Sequence, residues 1–219
     1  MDFAYFYGLG MVAVFAAMCY INRFYKIPLW KVAVSCILLA AIGMIGVKLM
    51  FFIESGNWTG RSFYGAVFLI PVLMFPVARL LKVPYGDLMD LMPPGGCIML
   101  ALLKVKCKID GCCFGRLMMI NGKLVRFPSQ ILEGVAAIAL LIVMILIIRK
   151  GRWRGVAYAW VMLLYGIVRF ILNFYRETSP WVGPLAAGSF WSLISITIGA
   201  MILLWTKRRN SLSPTQKTA

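Results

Sequence analysis

Apolar and polar positions alternate along this chain in long blocks, with no two-residue strand rhythm. A first apolar block covers Ala4–Tyr20, with Asp2 ahead of it and neither a basic leader nor a clear cleavage site, so it is expected to be a retained span. Others cover about Leu29–Ile53, Phe63–Leu81, Ser129–Ile148, Val156–Leu172 and Ala186–Trp205. Each approaches the roughly 20 residues that carry a helix across a bilayer. A further block, fourth in order, begins near Tyr85, passes Asp87 and Asp90, meets Pro93-Pro94-Gly95-Gly96 and runs apolar to Leu103. Paired prolines interrupt helical hydrogen bonding, so a short or broken fourth helix inside the bundle is expected. Between the fourth and fifth blocks lies the polar stretch Lys104–Pro128. The pattern predicts an all-α polytopic membrane protein of about seven transmembrane helices. It predicts one transmembrane domain over residues 1–206 and a basic, disordered tail over residues 207–219.

Composition supports this reading. Apolar residues make up 62% of the 219 residues and charged residues 14%, against roughly 45–50% and about 25% in a soluble domain. The net charge of +16 sits in short clusters between spans, not on a basic reading element, so a nucleic-acid partner is not expected. Arg23/Lys26/Lys31, Arg79/Lys82, Arg149/Lys150/Arg152/Arg154 and Lys207/Arg208/Arg209 all fall on one side. The positive-inside rule makes that side cytoplasmic, with the N-terminus outside and the C-terminus inside. The bases of Lys104–Arg126 then lie on the outer side, against the rule, which suggests that function holds them there.

No histidine is present, which removes histidine bases and ligands. Of six cysteines, Cys112 and Cys113 are adjacent, and Cys107 lies five residues before Cys112. No second pair has zinc-ligand spacing, so no metal or other cofactor is expected. On the outer, oxidising side a disulfide among these three is possible. Cys19, Cys36 and Cys97 sit in apolar runs as packing residues.

Polar residues at membrane depth are costly and normally face a cavity or a partner. Lys48 lies near the end of the second span, Tyr64 opens the third, and Tyr7 stands early in the first. In Lys104–Arg116, the bases 104, 106 and 108 share a face if the chain is extended, and Gly111 and Gly115 allow turns that suit an anion. In Val125–Gly134, Ser129 is a candidate helix cap. Gln130 and Glu133 share a helix face, and Glu133 is expected to pair with a base. Arg169, Asn173 and Arg176 follow i, i+4, i+7 spacing, a polar stripe pointing into the bundle. Arginine suits phosphate through its planar fork. A group of bases with one Glu fits the headgroup of an anionic phospholipid.

At these residues the sequence resembles the bacterial prolipoprotein diacylglyceryl transferase family, over Tyr7 to about Ile202. KCKIDGCCFGR, FPSQILEG and YGIVRFILNFYRE carry the resemblance most strongly, with YFYGL, GVKL, SFYGAV and LMDLMPPGG in support. The resemblance implies seven spans in the bacterial cytoplasmic membrane. It also implies an enzyme that moves diacylglyceryl from phosphatidylglycerol to the lipobox cysteine of a preprolipoprotein, with glycerol phosphate leaving. Carried over, it implies catalytic roles for Tyr64, Glu133 and Arg169. Substrate contacts would come from Tyr7, Lys48, Lys104, Gly115, Gln130, Asn173 and Arg176, in a monomer without cofactor. Several positions depart from the family pattern. Tyr64-Gly65-Ala66 replaces a histidine and two glycines, Lys48 and Lys104 replace arginines, and Asn173 replaces a glutamate. The chain is also shorter than typical members. The alternatives are a lipid-binding or lipid-moving paralogue without catalysis, and a small-solute transporter, for which no inverted repeat is found.

Overall fold

The computed structural model describes residues 3–120, 123–151, 154–177, 181–182 and 184–212. It contains α1 Phe3–Asn22, α2 Leu29–Ser55, α3 Phe63–Leu80, α4 Tyr85–Leu91 and α5 Pro93–Ile109. A hairpin, β1 Leu117–Ile120 and β2 Lys123–Arg126, precedes α6 Ser129–Lys150 and α7 Ala157–Asn173. The short strands β3 Trp181–Val182 and β4 Leu185–Ala186 lead into α8 Ala187–Leu212. Among the described residues, six helical segments are long and apolar enough to cross a membrane, α4 and α5 counting as one, and α7 is a shorter apolar helix. The chain is an all-α, multi-pass membrane protein whose fourth span is broken at Met92, between α4 and α5.

The helices pack in a circuit: α2 against α1 and α3, α1 against α5, α5 against α6, α6 against α7, and α7 against α8. Tyr64 of α3 and Ser192 of α8 complete it, their hydroxyls 2.7 Å apart. Without a hydrophobic drive between lipid-facing helices, close packing of small residues supplies contact. At Gly65 an added Cβ would lie 1.8 Å from the Gly46 carbonyl oxygen, so α2 and α3 meet backbone to backbone. Proline also leaves its mark. Pro71 has no N–H to offer Val67 one turn earlier, and the Tyr158 hydroxyl of α7 donates to the Val67 carbonyl at 2.9 Å instead.

Two parts of the sequence reading are corrected. Residues 104–109 are not extended: α5 continues to Ile109. Lys104, Lys106 and Lys108 therefore do not share one face; Lys104 turns to Glu133, and Lys106 pairs with Asp110 one turn on. Ser129 does not cap α6. Pro128 holds the cap position, and the Ser129 hydroxyl donates to the Cys113 carbonyl at 2.9 Å. At the other end of the chain, α8 continues past position 206 to Leu212. Arg152 and residues 213–219 lie outside the described residues.

Candidate functional site

The site is built around Glu133, in the second turn of α6, with its side chain 2% exposed. Its Oε1 accepts from Arg169 Nη1 of α7 at 2.5 Å and from Arg176 Nη1, just past α7, at 2.6 Å. Its Oε2 is ion-paired with Lys104 of α5. Seven residues on a helix nearly complete two turns, which returns position 176 to the face of position 169. The helix ends at Asn173, yet the turn after it keeps Arg176 aimed inward. Three bases around one carboxylate leave a formal excess of two positive charges in a buried place. Charges at such depth hold only with partners, and Glu133 supplies the shared one. The Arg176 Nε is buried and has no hydrogen-bond partner among the described residues.

The loops around this group are tied to it. Gly115 bridges the backbone of Arg176, and an added Cβ there would fall 2.2 Å from the Phe127 carbonyl oxygen, so only glycine fits. Arg116 donates through Nε to the Arg176 carbonyl at 3.0 Å, and Phe127 stacks on Tyr175 with centroids 4.7 Å apart. Gln130 Nε2 donates to the Cys112 carbonyl at 2.6 Å. Gly115 and Gln130 thus shape the site by holding the backbone around it.

Beside the charged group opens a cavity of about 390 Å³. Most of its lining is apolar, with Met11, Val14, Leu39, Met44 and Ile70 among the lining residues. Its polar lining includes Tyr7, Arg61, Lys104 and Tyr165. The Tyr7 hydroxyl donates to the Ala40 carbonyl at 3.0 Å, joining α1 to α2 along that wall. An apolar trough with basic groups on its wall has the polarity of a lipid: chains along the wall, anion on the bases.

Not every expected residue joins the group. Lys48 Nζ donates to the Trp58 carbonyl at 2.6 Å in the loop after α2, and it does not reach Glu133. Asn173 faces α8, where its Nδ2 donates to the Ser189 hydroxyl at 2.7 Å. Tyr64 is buried, its ring 5.7 Å from that of Tyr165, but it is not among the cavity-lining residues and its hydroxyl is engaged by Ser192.

A second polar centre was not anticipated from sequence. Asp90 of α4 accepts from the Tyr25 hydroxyl at 2.7 Å, from Gly155 N at 2.6 Å and from Ala157 N at 2.8 Å. Asp87, one turn before it, pairs with Arg154 at 3.0 Å. Asp90 thereby satisfies free amides at the start of α7, a distant side chain acting as a helix cap. The Asp87/Asp90 spacing was the only signal. This centre lies near the C-terminus of α6, and Glu133 near its N-terminus, so they occupy opposite ends of the bundle.

Fold and site define a multi-pass membrane protein with a buried, net-positive group beside an apolar trough. A family model described as prolipoprotein diacylglyceryl transferase matches residues 4–205, and the chain belongs to that family. A phosphatidylglycerol–prolipoprotein diacylglyceryl transferase of Paraburkholderia phymatum is 39% identical over 96 residues, 42% of this chain and 32% of the relative. One from Salmonella choleraesuis is 34% identical over 94 residues, 40% of this chain and 32% of the relative. One from Geobacter sulfurreducens is 26% identical over 163 residues, 68% of this chain and 63% of the relative. The matches thus span from just under a third to just under two thirds of these relatives' length.

Proposed function

We propose that this protein transfers the diacylglyceryl group of phosphatidylglycerol to the cysteine thiol of a lipobox preprolipoprotein, acting as a monomer in the bacterial cytoplasmic membrane. The observation that carries the reading is the convergence of Lys104, Arg169 and Arg176 on Glu133, beside a trough whose lining is mostly apolar, as acyl chains require. In this reading the phosphate enters at Lys104, the one of the three bases that lines the cavity, with Arg169 and Arg176 beside it around Glu133, which orients them. The acceptor thiol loses its proton and attacks as thiolate at the glycerol carbon, the proton ending on the departing glycerol phosphate. The carbon–oxygen bond to phosphate breaks, and glycerol phosphate leaves with the bonding pair. Preplaced positive charge stabilises that leaving group without reorganisation. Tyr165, which lines the trough, and Tyr64 behind it hold the α7 wall against α3.

The membrane orientation belongs to the same proposal. The basic groups at Arg23/Lys26/Lys31, Arg79/Lys82, Arg149/Lys150/Arg154 and Lys207/Arg208/Arg209 flank the ends of α1, α3, α6 and α8. With that face cytoplasmic, Glu133 lies toward the outer leaflet and can meet a secreted precursor.

The test is direct. Purified protein with phosphatidylglycerol and a lipobox peptide is expected to yield a thioether-linked peptide and glycerol phosphate. Absence of product, with a family enzyme active in parallel, would overturn the transfer reaction. A second reading, lipid binding without turnover, is favoured by one observation: the hydroxyl of Tyr64, a residue expected to be catalytic, is committed to Ser192. That reading expects phosphatidylglycerol binding that Arg169→Ala abolishes, and no product in the same assay.

A further inference from the structure

Cys107, Cys112 and Cys113 are too irregular in sequence to read as a ligand set, yet the structure brings their sulfurs within 4.8 Å of one another. The gathering is local and built. Cys107 stands in the last turn of α5, and the chain reverses through Gly111 at φ +64°, with Cys112 N donating to the Cys107 carbonyl at 3.0 Å. Cys113 adopts φ +58°, a left-handed conformation that a side chain other than glycine seldom takes. The reversal is then pinned from outside. Buried Gln130 and Ser129, at the start of α6, donate to the carbonyls of Cys112 and Cys113. Strain retained and held by buried partners is typical of a functional turn. All three cysteines also line the cavity.

Which chemistry suits three clustered sulfurs? A disulfide uses two sulfurs at about 2.05 Å and leaves the third outside, and the adjacent pair bridges only with strain. Hard cations such as magnesium or calcium take oxygen ligands, and Asp110, the nearest carboxylate in sequence, is already paired with Lys106. Zinc prefers four ligands in a tetrahedron. Soft thiolates select monovalent copper, and sulfur-to-metal bonds of about 2.3 Å around one ion separate the sulfurs by about 4 Å, within the spacing seen here. Lys104, one turn before Cys107, offers positive charge beside such a cluster and favours thiolates.

We propose that Cys107, Cys112 and Cys113 form a three-sulfur site for a monovalent copper ion at the rim of the cavity. Binding would form three copper–sulfur bonds and release the protons that the thiols still carry, with no change in oxidation state. The site borders the cavity assigned to the lipid, but copper binding by the three sulfurs does not require that the transfer reaction take place.

The test uses the full chain in detergent, reduced and kept free of oxygen, titrated with cuprous ion against a chromogenic chelator. One ion per chain is expected to be withdrawn from the chelator. Cys113→Ser should weaken retention by more than about tenfold, and Gln130→Ala, which frees the Cys112 carbonyl, by about 10–100-fold. A variant with Cys19→Ser, Cys36→Ser and Cys97→Ser should bind as the parent does. X-ray absorption of the loaded protein should show sulfur neighbours only. Failure to compete with the chelator, or uptake indifferent to Cys113→Ser while the helical circular dichroism is intact, would overturn the proposal. So would a stable Cys107–Cys113 or Cys107–Cys112 disulfide whose reduction restores no copper binding.

Discussion

Arg169 and Glu133 face each other across α6 and α7, Nη1 to Oε1 at 2.5 Å, with side chains 14% and 2% exposed. Such a pair is costly to break from one side, because the survivor is left charged and buried. Glu133 is the shared partner of three bases, so its loss leaves all three without it.

Glu133→Ala is therefore expected to lower stability by about 3–5 kcal/mol, measured by denaturation in detergent. Arg126→Ala removes the pair with Glu177, in which both side chains are nearly half exposed, and is expected to cost about 0–1 kcal/mol. Equal losses in the two variants would contradict the buried-hub account.

Arg169→Lys keeps the charge and removes the fork. If the three bases hold the leaving phosphate, the substitution should lower transfer more than it lowers phospholipid binding. Arg169→Ala should cost about 10²–10³ in kcat, the scale of losing one preplaced donor. Radiolabelled phosphatidylglycerol and a lipobox peptide separate the two effects. Intact turnover in Arg169→Ala would remove that residue from the chemistry.

Gly65→Ala tests the close crossing of α2 and α3. The added methyl meets backbone, which cannot swing away, so α2 and α3 must separate. Overpacking of this kind costs about 1–3 kcal/mol. Gly8→Ala meets nothing within 4 Å and should be neutral or slightly stabilising. Thermal unfolding of the two variants side by side gives the contrast.

Asp90→Ala strands two backbone amides and the Tyr25 hydroxyl, each worth about 1–3 kcal/mol when left unsatisfied. A large loss is expected, with Asp90→Asn intermediate because its amide still presents one oxygen. Burial, and then Asp90, push the Tyr25 phenol well above its ordinary range, so it keeps its proton when folded. The stability this lends is present below the ordinary phenol value, near 10, and is lost as pH rises above it. Tyr25→Phe should flatten that alkaline decline in a denaturation series.

Much of this architecture was legible because lipid forces apolar residues into long uninterrupted blocks. The spans predicted at Leu29–Ile53 and Ser129–Ile148 became helices Leu29–Ser55 and Ser129–Lys150. The break before Pro93 was likewise written in the proline pair. Glu133 pairing with a base followed from depth alone, since a carboxylate there needs a partner. What escaped depended on partners distant in the chain. Residues 104–109 looked like a loop because lysines are polar, but Lys104 is stabilised in a helix by Glu133, 29 positions on. Asn173 sat on the right stripe and turned to Ser189 instead, a choice set by the packing of α8. The sulfur cluster needed a left-handed residue at Cys113, which no spacing rule indicates.

The Asp90 contact also carries information about time. Its carboxylate is made 65 residues before Gly155 and 67 before Ala157. As the chain leaves the ribosome, the acceptor is synthesised before the donors. The sixth span, α7, is therefore made after the carboxylate that anchors its first turn.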